Sequence, residues 1–425
     1  MGRTRHTAAV VGGGPAGLAA ALALGRAGAD VVLAAPPHRV GGKAPDTRTA
    51  ALFAGSIELL KNVGAWDAIA PHSAPIAAIR IIDDTGALLR APEVVFTASE
   101  VGRDAFGWNV PNGALVSGLT AAAAQAESRV RLHETAGISR IDIGRDAATL
   151  TSAEGQTFDA RLVAGADGRN SICRAAAGIA TRTWRYEQAA IVASFRHTRP
   201  HRSVSTEFHR PSGPLTTVPL PGLASSIVWV ERPDAAQRLA GLDDAAFRAA
   251  LEERLQGLLG TIEDVGPRAI FPLSGLTAEA FGANRVALVG EAGHVIPPIG
   301  AQGLNLGLRD AATLADCVAS ALAEGGDPGG ATTLETYSRR RRGDVTSRIG
   351  TVDLLNRSLI SGLFPVHLAR GLGIVALHAL GPLRRFAIRE GLQPSGELAD
   401  LLQPDGAQRM RERMQAGASP PPAAS

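Results

Sequence analysis

The chain has 425 residues, of which 45% are hydrophobic and 20% charged, a composition typical of a globular protein with two or three domains. Its 43 basic and 40 acidic residues leave a formal charge of +3, too balanced for the basic face that binds nucleic-acid phosphates. Collagen, coiled coil and wholesale disorder are excluded, and nucleic acid is a poor partner. Two distant cysteines, Cys173 and Cys317, indicate a reducing compartment such as the cytoplasm rather than a disulfide scaffold.

The chain opens with a β-branched and apolar run at residues 7–11, a glycine cluster, and an Ala- and Leu-rich segment that reaches Gly28. This order predicts a strand, a tight turn and a helix, and residues 31–33 add a second strand of the buried type. A βαβ unit with a right-handed crossover is therefore expected, and a parallel sheet opens the fold.

Between that first strand and helix lies Gly12-x-Gly14-x-x-Gly17, the pattern of a dinucleotide-binding turn. Its glycines permit a tight turn and close approach of a pyrophosphate, which meets the helix N-terminus. The acidic residue that normally follows about 20 positions later and accepts the ribose hydroxyls is absent, because the second strand ends Ala34-Ala35-Pro36. Either backbone carbonyls with Arg39 or Arg48 hold the ribose, or the site has decayed.

Strand and helix patterns alternate along the rest of the chain. Residues 76–96 predict strands around a turn at 83–86, residues 114–126 a helix, and residues 129–166 short strands that end at a second glycine turn, 165–168. A second β-rich block has strand candidates at 189–193, 204–208 and 227–230. Two helices, a buried strand at 285–289 and a long helix at 304–322 follow, and residues 334–392 are mostly helical in pattern.

Three separated segments, in one order, resemble the class A flavoprotein monooxygenases, the para-hydroxybenzoate hydroxylase superfamily. They are the Gly12 turn, the segment Asp167-Gly168-x-x-Ser171-x-x-Arg174, and the run from Gly290-Glu291 through Pro298, Gly300 and Gln302 to Asn305. The resemblance covers most of the chain. It implies an FAD cofactor, with the second segment serving both flavin and nicotinamide binding.

In the third segment, the resemblance implies that the carboxylate of Glu291 holds the ribityl chain of the flavin. Most members have Asp there, so the longer Glu291 must pull back or the backbone must shift. Backbone amides at the start of the following helix stabilise negative charge on the N1 and O2 edge of the flavin. The residues predicted to bind FAD are Gly12, Gly14, Pro15, Ala16, Gly17, Arg48, Asp167, Gly168, Glu291, Pro298, Gly300, Gln302, Gly303, Leu304 and Asn305.

The fold class implied is α/β, with a Rossmann-like FAD-binding domain interleaved with a β-sheet substrate domain and followed by a helical C-terminal part. The FAD-binding domain is predicted in three segments, residues 1–75, 111–180 and 276–330. Residues 76–110 and 181–275 are assigned to the substrate domain. Residues 331–415 are assigned to the helical region, and residues 416–425, rich in Ala, Ser and Pro, to a disordered tail.

Within the superfamily, further segments are similar to the ubiquinone-biosynthesis hydroxylases. They are residues 46–52, residues 186–192, Glu207-Phe208 leading to Gly213-Pro214-Leu215, and Pro219-Leu220 followed by residues 226–229. Arg48 matches an arginine near the cofactor in that group. The resemblance implies hydroxylation of the ring of a polyprenylated phenol or quinol in ubiquinone biosynthesis, through a flavin C4a-hydroperoxide formed from reduced flavin and dioxygen.

In such a reaction the protein excludes water and positions the ring, while the cofactor carries the difficult chemistry. The electron donor stays open between NAD(P)H and a ferredoxin, and the oligomeric state is also open. A second hypothesis is an FAD-dependent enzyme that hydroxylates another aromatic metabolite or reduces a prenyl chain. A third, which Ala34-Ala35 and Glu291 motivate, is a non-catalytic flavoprotein-like scaffold subunit of a biosynthetic complex.

Histidines supply the remaining candidates for chemistry. His209 is a candidate to assist phenol deprotonation, although a surface position is the more ordinary expectation. His294, close to Glu291, is expected to make a structural hydrogen bond. No metal site is predicted, because Pro200 breaks the helix that His197-x-x-x-His201 would need, and both are expected in a loop.

The run Arg339-Arg340-Arg341-Arg342 is expected to be solvated. Together with Arg370, Arg384 and Arg385 around the uncharged residues 371–381, it could meet anionic lipid headgroups in a peripheral membrane contact. That uncharged run is shorter than the roughly 20 residues that a spanning helix requires.

Overall fold

The structure is a computed structural model that describes residues 4–37, 46–86, 92–126, 129–360 and 398–418, together with residues 381, 382, 384, 385 and 388. The strands are β1 Arg5–Val11, β2 Val31–Ala35, β3 Thr49–Phe53, β4 Ala74–Ile76, β5 Ala78–Asp83, β6 Val94–Thr97, β7 Gly107–Pro111, β8 Val130–Glu134, β9 Ile138–Ile143, β10 Ala148–Ser152, β11 Thr157–Gly165, β12 Thr181–His197, β13 Val204–His209, β14 Leu215–Leu220, β15 Ala224–Glu231, β16 Ile262–Val265, β17 Ala269–Ala278, β18 Gly282–Ala283, β19 Val286–Leu288 and β20 His294–Val295. The α-helices are α1 Pro15–Arg26, α2 Ala54–Asn62, α3 Trp66–Ile69, α4 Asn112–Gln125, α5 Ile172–Ala176, α6 Pro233–Ala240, α7 Asp244–Leu255, α8 Gln302–Ala323, α9 Ala331–Ile360 and α10 Gly406–Ala418.

The first sheet has the strand order β18-β19-β11-β1-β2-β8, in which the strands from β19 to β8 run parallel. Its central strands are short runs of Ala, Val and Leu that are buried on both faces, which is typical of a parallel sheet covered by helices. Helices α1, α4 and α8 share the core on one face. The parallel register brings the carboxyl ends of β1, β2, β11 and β19 to one edge, where the glycine turns lie.

The second sheet has the order β20-β17-β12-β15-β14-β13-β5-β6. One face of this sheet is covered by α6 and α7, and the core there includes Phe208, Trp229 and Phe247. A small sheet, β3-β7-β4, lies between α8, which contacts β3, and the second sheet, whose β14 contacts β4 and β7. It contacts the second sheet through Thr49, whose hydroxyl donates to Ser226 Oγ at 2.9 Å, and through Asn109, whose amide donates to the same oxygen at 3.1 Å.

The C-terminal part is tied to both halves of the molecule. Helix α9 packs on α8, and its Tyr337 hydroxyl donates to the carbonyl of Leu288 at 2.6 Å. Farther along α9, Asp353 accepts from the hydroxyl of Tyr186 at 2.8 Å, and Asn356 donates to Gln188 at 2.9 Å. Helix α10 returns to α8 and α1. The α9 helix therefore spans from the parallel sheet to the substrate-side sheet.

Most predicted strands and helices are confirmed, with four corrections. Strand β12 covers 17 residues rather than 189–193, because its polar first half pairs with β17. His197 ends that strand instead of lying in a loop, with its Nε2 bonded to Ser225 Oγ at 3.0 Å. Helix α10 continues through Ala418, into the segment predicted to be a disordered tail. Helices α2 and α3, between residues 54 and 69, were not predicted.

The domain boundaries given above remain a prediction, and the apolar run 371–380 lies outside the described residues. Within the ranges that the structure describes, no helix is both long and apolar enough to cross a bilayer.

Candidate functional site

The first glycine turn is formed by direct contact between backbones. Gly12 has φ +119°, and a Cβ atom on it would lie 2.2 Å from the carbonyl oxygen of Ala166. A Cβ atom on Gly17 would lie 2.0 Å from the carbonyl oxygen of Gly12, so no other residue fits at either position. Gly14 is different, because the space beside it is open. It caps α1, whose first turn has no acidic side chain and no side-chain cap, so its amides are available to an anion.

The second glycine turn lies beside the first. Asp167 Oδ2 accepts from the amide of Cys173 at 3.1 Å, while its Oδ1 is buried and has no hydrogen-bond partner among the described residues. Gly168 follows with φ +78°. Arg174 then crosses to the third segment, where its guanidinium donates to the carbonyl of Ala292 at 2.8 Å. The second and third segments of the resemblance are therefore in direct contact.

The third segment leads into α8 through two residues in the left-handed region, Gly300 at φ +66° and Ala301 at φ +53°. The first turn of α8 has neither an acidic side chain nor a side-chain cap. A Cβ atom on Gly303 would meet no atom within 4 Å, so the space beside this helix start is open. Gln302 Oε1 is buried and has no partner in the described part of the chain. This helix start is thus a second set of available amides.

Asn305 connects this helix start to β3 and α2. Its Oδ1 accepts from the amide of Phe53 at 2.9 Å and from the hydroxyl of Ser56 at 2.7 Å, and its Nδ2 donates to the carbonyl of Ala51 at 2.8 Å and of Ala301 at 2.7 Å. The side chain is therefore fully used within the protein. The predicted role at the flavin therefore cannot use the side chain of Asn305.

A buried charge network supports the loop that carries Glu291. Asp310 on α8 is fully buried; its Oδ2 accepts from the amide of Gly290 at 2.8 Å and pairs with His294 Nε2 at 2.7 Å. Its Oδ1 accepts from Arg341 of α9 at 2.6 Å. Burial acts to raise the pKa of Asp310, but the charges of His294 and Arg341 outweigh it and lower the pKa to about 2. The expected structural hydrogen bond of His294 is confirmed, with Asp310 as its partner.

Arg48 lies at the open side of the same loop. It makes two hydrogen bonds to Asp46, at 2.7 and 2.8 Å, and Asn112 also donates to Asp46. The bond to Asp46 raises the pKa of Arg48, and the nearby charge of Glu291 raises it further. Arg48 and Glu291 therefore lie on the same side of the site, with more than half of the Arg48 side chain exposed. Arg39, the other predicted ribose contact, lies outside the described residues.

These features fit an FAD molecule. Two helix N-termini without acidic side chains converge, and glycines leave open space at both. Gln302 Oε1 and Asp167 Oδ1 are buried acceptors with no protein partner within the described ranges, as expected where a ligand supplies one. Within those ranges, no three His, Cys, Asp or Glu side chains are grouped to hold a metal ion.

His209 is buried, at 4% exposure, so the expected surface position is wrong. Its Nε2 lies 2.7 Å from Glu207 Oε1, and its Nδ1 is buried with no partner among the residues described. Glu207 pairs with Thr216 of β14, and Thr216 pairs with Val228 of β15, so these three side chains lie on one face of the second sheet. Alternate residues of a strand share a face, so His209 and Ser226 lie on that face as well. Because Ser226 holds the small sheet, His209 lies on the face of the second sheet that the small sheet covers. The other face is the one covered by α6 and α7.

The arginine run is solvated only in part: Arg339 and Arg342 are exposed, whereas Arg340 and Arg341 turn to acidic partners. Arg341 is 4% exposed and pairs with Asp310 and Asp344, and Arg340 lies 3.7 Å from Asp316. Arg384, also predicted at a membrane, pairs with Glu100 and stacks on the ring of Phe96. Sequence reasoning missed the pairings with Asp310, Asp316 and Glu100 because these partners lie on other elements. The fixed spacing of Arg341 and Asp344 along one helix face was the one local signal.

Comparison with known proteins identifies relatives along most of the chain. The family described as FAD binding domain matches residues 5–349. The ubiquinone hydroxylase UbiL of Rhodospirillum rubrum is 36% identical, over 90% of this chain and 88% of that protein. The 3-demethoxyubiquinol 3-hydroxylase of Escherichia coli is 31% identical, over 90% of this chain and 97% of that protein. The crystal structure of p-nitrophenol 4-monooxygenase PnpA from Pseudomonas putida has the same fold, with a TM-score of 0.76, 20% identity, and coverage of 93% of this chain and 100% of that one.

Replacing Asp310 with Asn tests the buried network. The substitution removes the buried carboxylate that His294 and Arg341 share and leaves Arg341 with Asp344 alone, so we expect the free energy of unfolding in urea to fall by about 3–5 kcal/mol. The matched control is Asp264→Asn on β16, an exposed carboxylate, for which we expect a change within about 0.5 kcal/mol. An Asp310→Asn protein as stable as the control variant would show that the network does not support the loop.

Proposed function

The chain belongs to the FAD binding domain family and is an FAD-dependent aromatic-ring monooxygenase, and we propose that its substrate is a polyprenylated phenol or quinol of ubiquinone biosynthesis. The observation that carries this proposal is the similarity to two relatives named as hydroxylases of ubiquinone or demethoxyubiquinol, along nearly their whole lengths. The four segments that resemble the ubiquinone-biosynthesis group also support it. They lie on the small sheet and the second sheet, which are the two sheets that border the proposed substrate face.

The face of the second sheet that carries His209 suits such a substrate. Ala190, Val230 and Leu273 form a buried apolar cluster there, with Val228 and Tyr186 packed against it. The small sheet covers this face at Ser226, and α9 covers it at Tyr186 and Gln188. Because the small sheet and α9 cover this apolar surface, water is excluded from it, and its chemistry suits a ring with a hydrocarbon chain.

The cofactor-binding residues have distinct proposed roles. The amides at the start of α1, beside Gly14, hold the pyrophosphate, and Pro15, Ala16 and the other glycines of the turn allow its approach. Glu291 holds the ribityl hydroxyls, with Arg48 beside it. The amides of Gly303, Leu304 and Asn305, after the turn that contains Pro298, Gly300 and Gln302, stabilise negative charge at the pyrimidine edge of the ring. Asp167 and Gly168 line the same cleft from the second turn.

Bound FAD would supply the transfer of one oxygen atom from dioxygen to a ring carbon, while NAD(P)H or a ferredoxin supplies two electrons and the second oxygen leaves as water. The protein's part is to bind the ring, exclude water and accept the phenolic proton. We assign that proton to Nδ1 of His209, which is buried and lacks a partner within the described part of the chain. Glu207, at 2.7 Å from Nε2, stabilises the imidazolium that forms.

The substrate proposal predicts a defined product. Purified protein reconstituted with FAD and a reductant should convert a prenylated phenol into a product with one additional oxygen atom, and cells that lack the protein should accumulate the under-hydroxylated precursor. The same assay with a non-prenylated phenol controls for the side chain. A product with two additional hydrogens would instead indicate a prenyl-chain reductase. Protein that cannot be reconstituted with FAD, with unchanged quinone levels in the deletion strain, would favour the scaffold hypothesis.

The proton-acceptor role of His209 predicts a change in the pH profile. In His209→Gln we expect kcat/KM for a phenol substrate to fall about a hundredfold near pH 7, because the base is lost. The ascending limb of the pH profile, which reports formation of the active base, should disappear. His72→Gln, a change at an exposed histidine, should keep the wild-type profile. A His209→Gln protein that retains both the limb and the rate would contradict the role.

A further inference from the structure

The adenosine half of FAD lacks an obvious ribose ligand in this chain. In dinucleotide-binding folds an acidic residue at the end of the second strand accepts hydrogen bonds from the ribose hydroxyls. Strand β2 ends at Ala35, which has no polar side chain. The Cβ atom of Ala35 lies against Gly13 of the first glycine turn, 2.8 Å from where a Cβ on that glycine would be. The position is therefore at the site but cannot supply the contact.

The neighbouring strand supplies a carboxylate at the same level. Strand β8 pairs with β2 in parallel, and Glu134 is the residue in register with Ala35. The pairing extends past the end of both strands, since the amide of Thr135 donates to the carbonyl of Ala35 at 3.0 Å. Neighbouring residues in register share one face of a sheet and lie about 4.8 Å apart. Glu134 is thus displaced from the usual acidic position by one strand spacing, on the same side.

Other carboxylates on these strands and their loops are already engaged. Asp30, before β2, pairs with His6 at 2.8 Å and lies 3.7 Å from Arg131. Glu154 accepts from the hydroxyl of Thr135 at 2.5 Å and from the amide of Ala136 at 2.8 Å, which closes the loop after β8. Glu134 is exposed to solvent, and none of the hydrogen bonds or ion pairs among the described residues uses its carboxylate.

We propose that the carboxylate of Glu134 accepts hydrogen bonds from the ribose hydroxyls of the adenosine half of FAD, in place of the acidic side chain missing at Ala35. Glu134 is thereby a cofactor-binding residue supplied by β8. The absence of an acidic residue at Ala35 then reflects a shift of the contact to the next strand rather than decay of the site. The inference depends on FAD binding and is independent of which phenol is hydroxylated.

The test compares binding of FAD with binding of its 2′-deoxyadenosine analogue, measured by flavin fluorescence titration of the apoprotein. In the wild-type protein we expect FAD to bind about tenfold more tightly than the analogue, because a hydrogen bond to a charged acceptor is lost. In Glu134→Gln, FAD should bind about tenfold more weakly than in the wild type, and the difference between the two ligands should shrink to less than threefold.

Two further variants make the result specific. Asp142→Asn removes one negative charge from β9 of the same sheet and should leave both dissociation constants unchanged. The double variant Ala35→Glu/Glu134→Gln returns a carboxylate to β2 and should recover the preference for FAD. The proposal is overturned if the wild-type protein does not distinguish the two ligands, or if Glu134→Gln retains the preference. Failure of the wild-type protein to bind FAD at all would contradict the proposed function itself.

Discussion

The structure depends on contact between backbone segments that have no side chains to keep them apart. Gly12 lies against the carbonyl of Ala166, Gly17 against the carbonyl of Gly12, and Gly307 of α8 against Gly290. These contacts bring α1, the second glycine turn and α8 to one point at the edge of the parallel sheet. Any side chain at Gly12 or Gly17 would push the segments apart. The convergence of two helix N-termini, which gives the site its positive potential, follows from this spacing.

Buried charges then hold the outer parts of the molecule to that point. Asp310 lies on α8 directly behind the glycine contact and binds the Glu291 loop through Gly290 and His294. It also binds Arg341, so α9 is fixed to the same loop. Because α9 reaches the second sheet through Asp353 and Asn356, one helix connects the cofactor loop with the apolar face proposed for the substrate. A displacement of the Glu291 loop would therefore shift α9 and, through it, the apolar face of the second sheet.

The sequence was sufficient to predict the features that depend on neighbouring residues. The glycine turn, the strands of small apolar residues and the start of α8 are local patterns, and each is present in the structure. The burial of Arg341 and His209 was not predictable, because each depends on a partner or a covering element from elsewhere in the chain. The polar half of β12 has no strand pattern, and it is extended because β17 pairs with it. Asn305 lies near the start of α8, as the sequence predicts, but its side chain serves the junction with β3 and α2.

The central claim is that the two helix N-termini bind one FAD molecule, at the pyrophosphate and at the pyrimidine edge of the flavin. A crystal structure of the protein with FAD tests it most directly. The account predicts the pyrophosphate within hydrogen-bond distance of the amides at the start of α1, and the N1 and O2 edge of the flavin within hydrogen-bond distance of the amides of Gly303, Leu304 or Asn305. A bound flavin whose ring lies away from the start of α8, or whose pyrophosphate avoids the Gly14 turn, would contradict it.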